Sequence, residues 1–182
     1  MTMDAQSVQV RATEELNADE RASIIELCIA AHDNEAFHDL FSFIPSGGRH
    51  FLGYEGTVLV SHAVVTTRWA QPEGGPPLKT GFVDAVATHP DKQRRGHGGL
   101  VMRRLAVGIP DYEIGCLQTD RPEFYLPLGW ELWRGPLAGR SEEERIPTPD
   151  QRGVMILRLP QTPPLDLDSE LSIECQPSRI WE

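Results

Sequence analysis

The sequence predicts a single α/β (α+β) domain over residues 1–182, in which a mixed central β-sheet is flanked by helices and an additional β segment follows at the C-terminal end. Three observations support this. Amphipathic helical segments alternate with segments of strand-like pattern, one strand–loop–helix–strand run has the form of a βαβ unit, and the last part of the chain contains only strand-like segments. The length of 182 residues fits one domain with a hydrophobic core.

The first half of the chain predicts a strand, two helices and a hairpin. The strand covers residues 8–14, and a helix over 17–32 begins at the N-cap Asn17, with Glu20 three residues on to complete a capping box. A short amphipathic helix within 33–48 ends at Pro45 and two glycines. The hairpin has strands over 51–54 and 57–69 and its turn within 53–56.

The second half predicts the βαβ unit and the closing strands. Five of the nine residues in 71–79 are Gly or Pro, which indicates a loop. The elements that follow are a strand over 80–90, a helix over 97–108, a strand over 112–119, a short helix over 120–129 with Pro122 near its first position, a strand over 130–136, a polar loop over 137–153, and closing strands over 154–160 and 171–176.

Composition and charge exclude several classes of protein. The net charge of −10 argues against a nucleic-acid-binding protein, and no apolar run is long enough to span a membrane. The three cysteines are odd in number and form no CxxC pair, which predicts buried, reduced thiols and a cytoplasmic location. No metal-ligand spacing is present, so we expect no metal site. The acidic surface serves either solubility or the attraction of a cationic ligand.

A basic, glycine-rich stretch interrupts this acidic composition. The segment Gln93, Arg94, Arg95, Gly96, His97, Gly98 and Gly99 lies between a predicted strand and the start of a predicted helix. At such a junction the first helical N–H groups lack intrahelical partners, and glycines let a phosphate approach them. Neither a P-loop pattern nor a complete GxGxxG is present, and an ordinary surface turn is the alternative.

The segment V-x-x-x-P-x-x-Q-R-R-G-H-G-G-L-V, from Val86 onward, resembles the pyrophosphate loop of the GNAT superfamily of N-acetyltransferases. The resemblance implies acetyl-CoA as co-substrate, held by the loop from Gln93 to Gly99 and by the strand residues Val86, Ala87 and Thr88. Further segments, GGRHFLGYEG, TGFVDAVA, EFYLPLGWELWRGPL and the C-terminal LDLDSELSIECQPSRIW, are similar to the aminoglycoside 2′-N-acetyltransferases, whose members often dimerise.

This resemblance also implies roles for individual residues. Asp84 would hold the substrate ammonium and accept its proton, through a water molecule, and Tyr125 would protonate or stabilise the leaving thiolate. A backbone N–H near Val86 would stabilise the oxyanion. The acceptor would be a cationic amine, most simply the 2′-amino group of an aminoglycoside. The residues expected to bind it are Glu35, Asp39, Asp84, Asp150, Gln151, Trp181 and Glu182.

Two other functions remain open. The segment 33–46 keeps little of the family's substrate loop, so the acceptor could be another small amine or a peptide amine. The chain could also bind an aminoglycoside or coenzyme A without catalysis, although Asp84 and Tyr125 favour an enzyme.

Overall fold

The structure, a computed structural model, describes residues 6–177 and 179–181. The chain forms two compact units, one made of Met1–Thr66 and Val83–Gly108 and the other of Thr67–Phe82 and Ile109–Glu182. Two long strands, β3 (Val58–Pro72) and β4 (Leu78–Thr88), contribute residues to both units. That the whole chain is a single domain stays a prediction.

The first unit joins an antiparallel sheet to three helices. Strand β1 (Gln6–Ala12) pairs with β2 (Arg49–Glu55), which pairs with the first part of β3. The helices are α1 (Ala18–His32), α2 (Leu40–Phe43) after a 3₁₀ turn over Glu35–Asp39, and α3 (His97–Gly108).

Local sequence signals set the boundaries of α1. The side chain of Asn17 accepts a hydrogen bond from the Glu20 N–H at 2.9 Å, and the Glu20 carboxylate accepts one from the Asn17 N–H, so the predicted capping box is confirmed. The helix buries Ile24, Leu27 and Cys28 against Leu40, Leu52, Val64 and Ala87. Each fully buried aliphatic side chain of this kind stabilises the fold by roughly 1.5–3 kcal/mol.

The second unit contains the βαβ pairing and the closing strands. Its elements are β5 (Ile114–Gln118), α4 (Pro122–Tyr125), β6 (Trp130–Leu132), β7 (Leu137–Arg140), β8 (Arg145–Pro147), β9 (Val154–Arg158) and β10 (Leu171–Glu174). The strand order is β6-β9-β5-β4-β3-β10-β7-β8. Strand β4 runs parallel to β5, and β7 runs parallel to β10, whereas the pairs β5–β9, β6–β9, β3–β10 and β7–β8 are antiparallel. The predicted α+β class with a mixed sheet is confirmed.

Two details of the prediction were wrong, and a third was confirmed only in part. Residues 137–153, predicted to be a polar loop, contain β7 and β8, because β7 is buried beside β10, a strand some thirty residues further along the chain. The hairpin turn lies at Gly56, with φ +60°, at the end of the predicted range 53–56, whereas Gly53 stays within β2 at an irregularity of the β2–β3 register. Cys28 and Cys116 are buried as expected, but Cys175 is only half-buried, and none of these three cysteines is in a disulfide.

Candidate active site

The junction from β4 to α3 has the geometry of an anion-binding loop. Strand β4 ends at Thr88, a 3₁₀ turn covers Pro90–Lys92, and α3 begins at His97. Between them Arg94 and Gly96 adopt positive φ angles of +59° and +88°. The Leu100 N–H donates to the Gly96 carbonyl, so the N–H groups before Leu100 precede the first such bond of α3. Amides at this point and the helix dipole favour a bound anion.

The side chains of the loop leave space over this backbone. A Cβ built on Gly96 would meet no atom within 4 Å, and Gly98 lies buried in the first turn of α3. Arg94 and Arg95 are exposed, whereas the Gln93 side chain donates to the Thr88 carbonyl at 3.2 Å. The predicted phosphate-binding residues therefore form one continuous loop with an open glycine at its centre and two arginines in solvent.

An ion pair fixes the base of the loop. Lys92 forms an ion pair with Glu55, and the buried His97 places its Nε2 3.9 Å from a Glu55 carboxylate oxygen. The hydrogen bond from Lys92 lowers the pKa of Glu55 against the opposing effect of desolvation. The position of Lys92 is thus set by a carboxylate of β2, which leaves Arg94 and Arg95 as the exposed cations of the loop.

Strand β4 carries a local distortion where the catalytic residues are predicted. Ala85 has φ +49°, a left-handed conformation that costs a non-glycine residue about 1–2 kcal/mol. Asp84 and Val86 flank it and are half-buried, while Ala87 is buried and Thr88 ends the strand half-buried. The distortion separates the predicted base, Asp84, from the predicted oxyanion donor at Val86 by a single residue of strained backbone.

The acidic residues Glu35 and Asp39 lie on the exposed 3₁₀ turn that follows α1. His32, the last residue of α1, hydrogen-bonds through Nε2 to the Val86 carbonyl at 3.0 Å and stacks on Phe37 of this turn with ring centroids 4.9 Å apart. This contact attaches the turn to the distorted part of β4. Glu35 also accepts a hydrogen bond from His38 at 2.8 Å.

Tyr125 lies at the end of α4 in the second unit. Its side chain is 7% exposed and makes edge-to-face contacts with Phe124 and Trp130. Burial, assisted by the negative charge of Asp120, raises the pKa of Tyr125 to about 12. The phenol is therefore a hydrogen-bond donor throughout the physiological pH range.

A polar cleft in the second unit brings together two of the predicted substrate residues. Asp150 and Gln151 line a cavity of about 530 Å³ with Gln118, Thr119, Asp120, Thr148, Pro149 and Arg152. The volume falls in the range of small-molecule sites, and the two carboxylates suit a cationic, hydroxyl-rich ligand. Sequence analysis missed Asp120, although its place directly after the C-terminal end of a parallel strand, in QTDRP, was an available signal.

The side chain of Trp181, near the C-terminal end, is buried in the apolar core of the second unit. Trp181 is 1% exposed, packs in the apolar core of the second unit, and donates from Nε1 to Thr148 Oγ1 at 3.2 Å. The indole is therefore part of the core, and Thr148, which accepts its hydrogen bond, also lines the polar cleft. Glu182, the other predicted substrate residue at this end, lies outside the described residues. The roles of all these site residues stay predictions.

Neither a metal centre nor a membrane-spanning helix is present in the described part of the chain. Residues 6–177 and 179–181 hold no group of three or more His, Cys, Asp or Glu side chains placed to bind a metal ion. None of the helices within those residues has the length and apolar character needed to cross a lipid bilayer.

Comparison with solved structures shows which fold this is. The chain matches a GNAT family N-acetyltransferase, YhbS, from Escherichia coli in complex with CoA, with a TM-score of 0.64 and 14% identity over 97% of this chain and 93% of that one. It matches a GNAT family acetyltransferase from Brucella melitensis in complex with acetyl-CoA, with a TM-score of 0.58 and 13% identity over 87% and 92% of the two chains. A GCN5-related N-acetyltransferase from Kribbella flavida gives a TM-score of 0.55 and 18% identity over 72% of this chain.

These likenesses show that the chain has the GNAT fold, as its sequence predicted. The chain spans about a third of the length of the Kribbella flavida protein and nearly all of the two others, with 34%, 93% and 92% of those chains covered. No protein-family model matches the sequence.

Proposed function

We propose that the protein transfers an acetyl group from acetyl-CoA to a primary amine. The observation that carries this proposal is the β4–loop–α3 junction, where the open Gly96 and the first amides of a helix have the geometry of an anion cradle, in a fold shared with CoA-bound proteins. Acetyl-CoA supplies an activated thioester. The amine nitrogen forms a bond to the acetyl carbon as the carbon–sulfur bond breaks, which gives an amide and a free thiol.

The loop would bind the pyrophosphate of acetyl-CoA. Gly96 leaves open space above the backbone, the α3 dipole favours negative charge, and the exposed Arg94 and Arg95 supply charge-assisted hydrogen bonds. The pantetheine arm would lie along Val86, Ala87 and Thr88 of β4.

Asp84 would prepare the amine for attack. A primary amine is mostly protonated at neutral pH and cannot attack until it loses a proton. Asp84 is half-buried, next to the left-handed residue Ala85, so its carboxylate can hold the ammonium and receive the proton through a water molecule. The Val86 N–H would stabilise the negative charge that develops on the thioester oxygen.

The environment of Tyr125 favours hydrogen bonding over full proton transfer. Its pKa of about 12 lies well above the ordinary thiol value of about 8.5, so complete transfer from the phenol to a thiolate is uphill by about 5 kcal/mol. A hydrogen bond from the phenol to the developing thiolate needs no such transfer. We therefore assign Tyr125 the stabilisation of the leaving group.

We propose an aminoglycoside, modified at its 2′-amine, as the acceptor, and a cytoplasmic location in keeping with three cysteines that form no disulfide. Such a ligand carries several ammonium groups on a hydroxyl-rich frame. The cleft lined by Asp120, Asp150 and Gln151 and the overall charge of −10 favour a ligand of this kind.

The decisive experiment is incubation with acetyl-CoA and a panel of aminoglycosides, polyamines and peptides, followed by mass spectrometry and NMR to locate the added acetyl group. The proposal expects acetylation of 2′-amino aminoglycosides. Acetyl-CoA binding with turnover only on peptides or polyamines would show that the acceptor is not an aminoglycoside. Acetyl-CoA binding without any acetylated product would support a purely binding role.

Two variants separate chemistry from cofactor binding. Asp84→Asn removes the proton acceptor and should lower kcat while leaving the Kd for acetyl-CoA within about twofold. Gly98→Glu places bulk and negative charge in the buried first turn of α3, so it should weaken acetyl-CoA binding by an order of magnitude or more. Equal losses of binding in both variants would contradict the assigned roles.

A further inference from the structure

Two buried histidines with no part in the proposed chemistry form a hydrogen-bonded chain in the first unit. His50, from the GGRH stretch that opens β2, and His62 of β3 are both fully buried. His50 Nδ1 lies 2.9 Å from His62 Nε2, and His62 Nδ1 lies 2.8 Å from the carbonyl oxygen of Ala85. At the other end His50 Nε2 lies 3.1 Å from the hydroxyl of Thr13.

The Ala85 carbonyl, at one end of this series of hydrogen bonds, determines which nitrogen of each neutral imidazole carries the proton. A carbonyl oxygen only accepts, so His62 Nδ1 carries a proton and donates it to Ala85. His62 Nε2 is then an acceptor and receives the Nδ1 proton of His50, so the neutral His50 ring presents an unprotonated Nε2 to Thr13, whose hydroxyl is also within 3.2 Å of the Gly48 carbonyl oxygen. Burial keeps both rings neutral, because it lowers the pKa of His50 to about 3 and that of His62 to about 4.

The hydrogen-bonded series of the two histidines ends at the distorted part of β4, where three successive carbonyls accept hydrogen bonds from side chains. Ala85 accepts from His62, Val86 accepts from His32 at 3.0 Å, and Ala87 accepts from Ser61 at 2.9 Å. Side chains of α1 and β3 thus define the path of β4 at the positive-φ residue Ala85.

Gly48, in the GGRH stretch, packs closely against Thr13, the residue that contacts His50. A Cβ built on Gly48 would lie 2.6 Å from Thr13 Oγ1 and 3.3 Å from Val64 Cγ2. Glycine at this position therefore lets the Thr13 hydroxyl reach His50.

We propose that His62, oriented by His50 and Thr13, is a positioning residue that holds Ala85 in its left-handed conformation and so directs the Val86 N–H toward the thioester oxygen. This inference rests on the proposed function. A backbone carbonyl cannot pass a proton onward, so the chain is not a proton relay, and its effect on the reaction is through the geometry of β4.

The test compares two substitutions of His62. His62→Leu removes both hydrogen bonds, whereas His62→Gln keeps a donor for Ala85 and an acceptor for His50. We expect His62→Leu to lower kcat by 10–100-fold with the KM for acetyl-CoA changed less than threefold, because removal of one oxyanion donor has effects of at least this size. His62→Gln should restore kcat to within about fivefold of the unaltered protein.

Leu27→Ala is the matched control, since it removes packing from the apolar cluster that contains Ala85 and Ala87 but removes none of the hydrogen bonds of His62. It should leave kcat unchanged at a temperature where the protein is folded. The proposal is overturned if His62→Leu retains full kcat, or if Leu27→Ala lowers kcat as much as His62→Leu does.

NMR keeps this inference separate from the proposed reaction. The ¹⁵N shifts of both imidazoles should show protonated Nδ1 and unprotonated Nε2, with the amide resonances of Ala85 and Val86 moved in His62→Leu and restored in His62→Gln. If no amine is acetylated at all, the proposed function fails, yet these resonances still decide whether His62 shapes β4. Unmoved Ala85 and Val86 resonances in His62→Leu would overturn the positioning role.

Discussion

The buried histidine pair predicts a steep loss of stability between pH 7 and pH 5. The pKa values of His50 and His62 in the folded protein, about 3 and about 4, lie below the ordinary histidine value of about 6.5. The unfolded chain therefore binds protons in this range that the folded protein does not, so stability is fully present above pH 6.5 and falls as the pH drops toward the folded values. Arg21 also lowers the pKa of His50.

The size of this loss of folding free energy follows from the protonation of the two histidines in the unfolded chain. From pH 7 to pH 5 each histidine of the unfolded chain goes from mostly neutral to almost fully protonated, while each folded one stays neutral, which costs about 2 kcal/mol per residue. The two together remove about 4 kcal/mol, a large part of the 5–15 kcal/mol that stabilises a typical domain.

Urea unfolding followed by circular dichroism at several pH values between 7 and 5 measures this loss. The variant His62→Gln removes one titrating ring, so its loss over the same range should be smaller by about 2 kcal/mol. Leu27→Ala, which removes no titrating group, should shift the whole curve downward in parallel. If His62→Gln and the unaltered protein lose the same free energy, the ring of His62 titrates normally in the folded protein and the assigned neutral chain is wrong.

Three further predictions concern the other parts of the molecule. Tyr125→Phe should lower kcat by about 10–100-fold through loss of one hydrogen bond to a charged group, with KM for acetyl-CoA unchanged in steady-state assays; an unaltered kcat would remove Tyr125 from the mechanism. Gly153→Ala, whose Cβ would lie 1.7 Å from a backbone oxygen at φ +72°, should lower the melting temperature far more than Gly74→Ala, which has φ +71° and open space; equal shifts would contradict the clash. Asp150→Asn and Asp120→Asn should each raise KM for a polycationic acceptor several-fold, more at low salt than at high salt, and a salt-independent effect would exclude an electrostatic role.

Local signals account for the parts of the fold that the sequence predicted well. Asn17 and Glu20 fixed the start of α1 because a capping box needs only residues three positions apart. Helix α3 was predicted over the residues that form it, and the loop before it was predicted to bind a phosphate from its glycines at a strand–helix junction together with its resemblance to the GNAT pyrophosphate loop. The residues of this junction are contiguous in the sequence, so one segment was enough to predict its position.

Other features depend on residues far apart in the chain. Strand β7 is stabilised by pairing with β10, which is distant in the sequence. Its own short, Gly-containing sequence has no recognisable strand pattern, so the sequence did not predict it. His50 and His62 meet only because the β2–β3 register places His50 opposite Val64 and Leu52 opposite His62, which makes the two histidines diagonal neighbours. The left-handed conformation of Ala85 carries no sequence signal at all, since alanine does not favour it.

The chemistry of imidazole explains why histidines occupy these two positions. The buried path from Thr13 to the Ala85 carbonyl needs side chains that accept a hydrogen bond at one end and donate one at the other. Lysine and arginine only donate, and their buried charge would cost several kcal/mol. Serine has one donor and is too short to bridge two strands from this distance. Neutral imidazole and the carboxamide of glutamine meet the requirement, so the activity of His62 variants should follow the order His, Gln and then Leu. An arginine at position 62 with activity close to that of histidine would show that β4 needs only a donor at Ala85, and the link back to His50 and Thr13 would then have no positioning role.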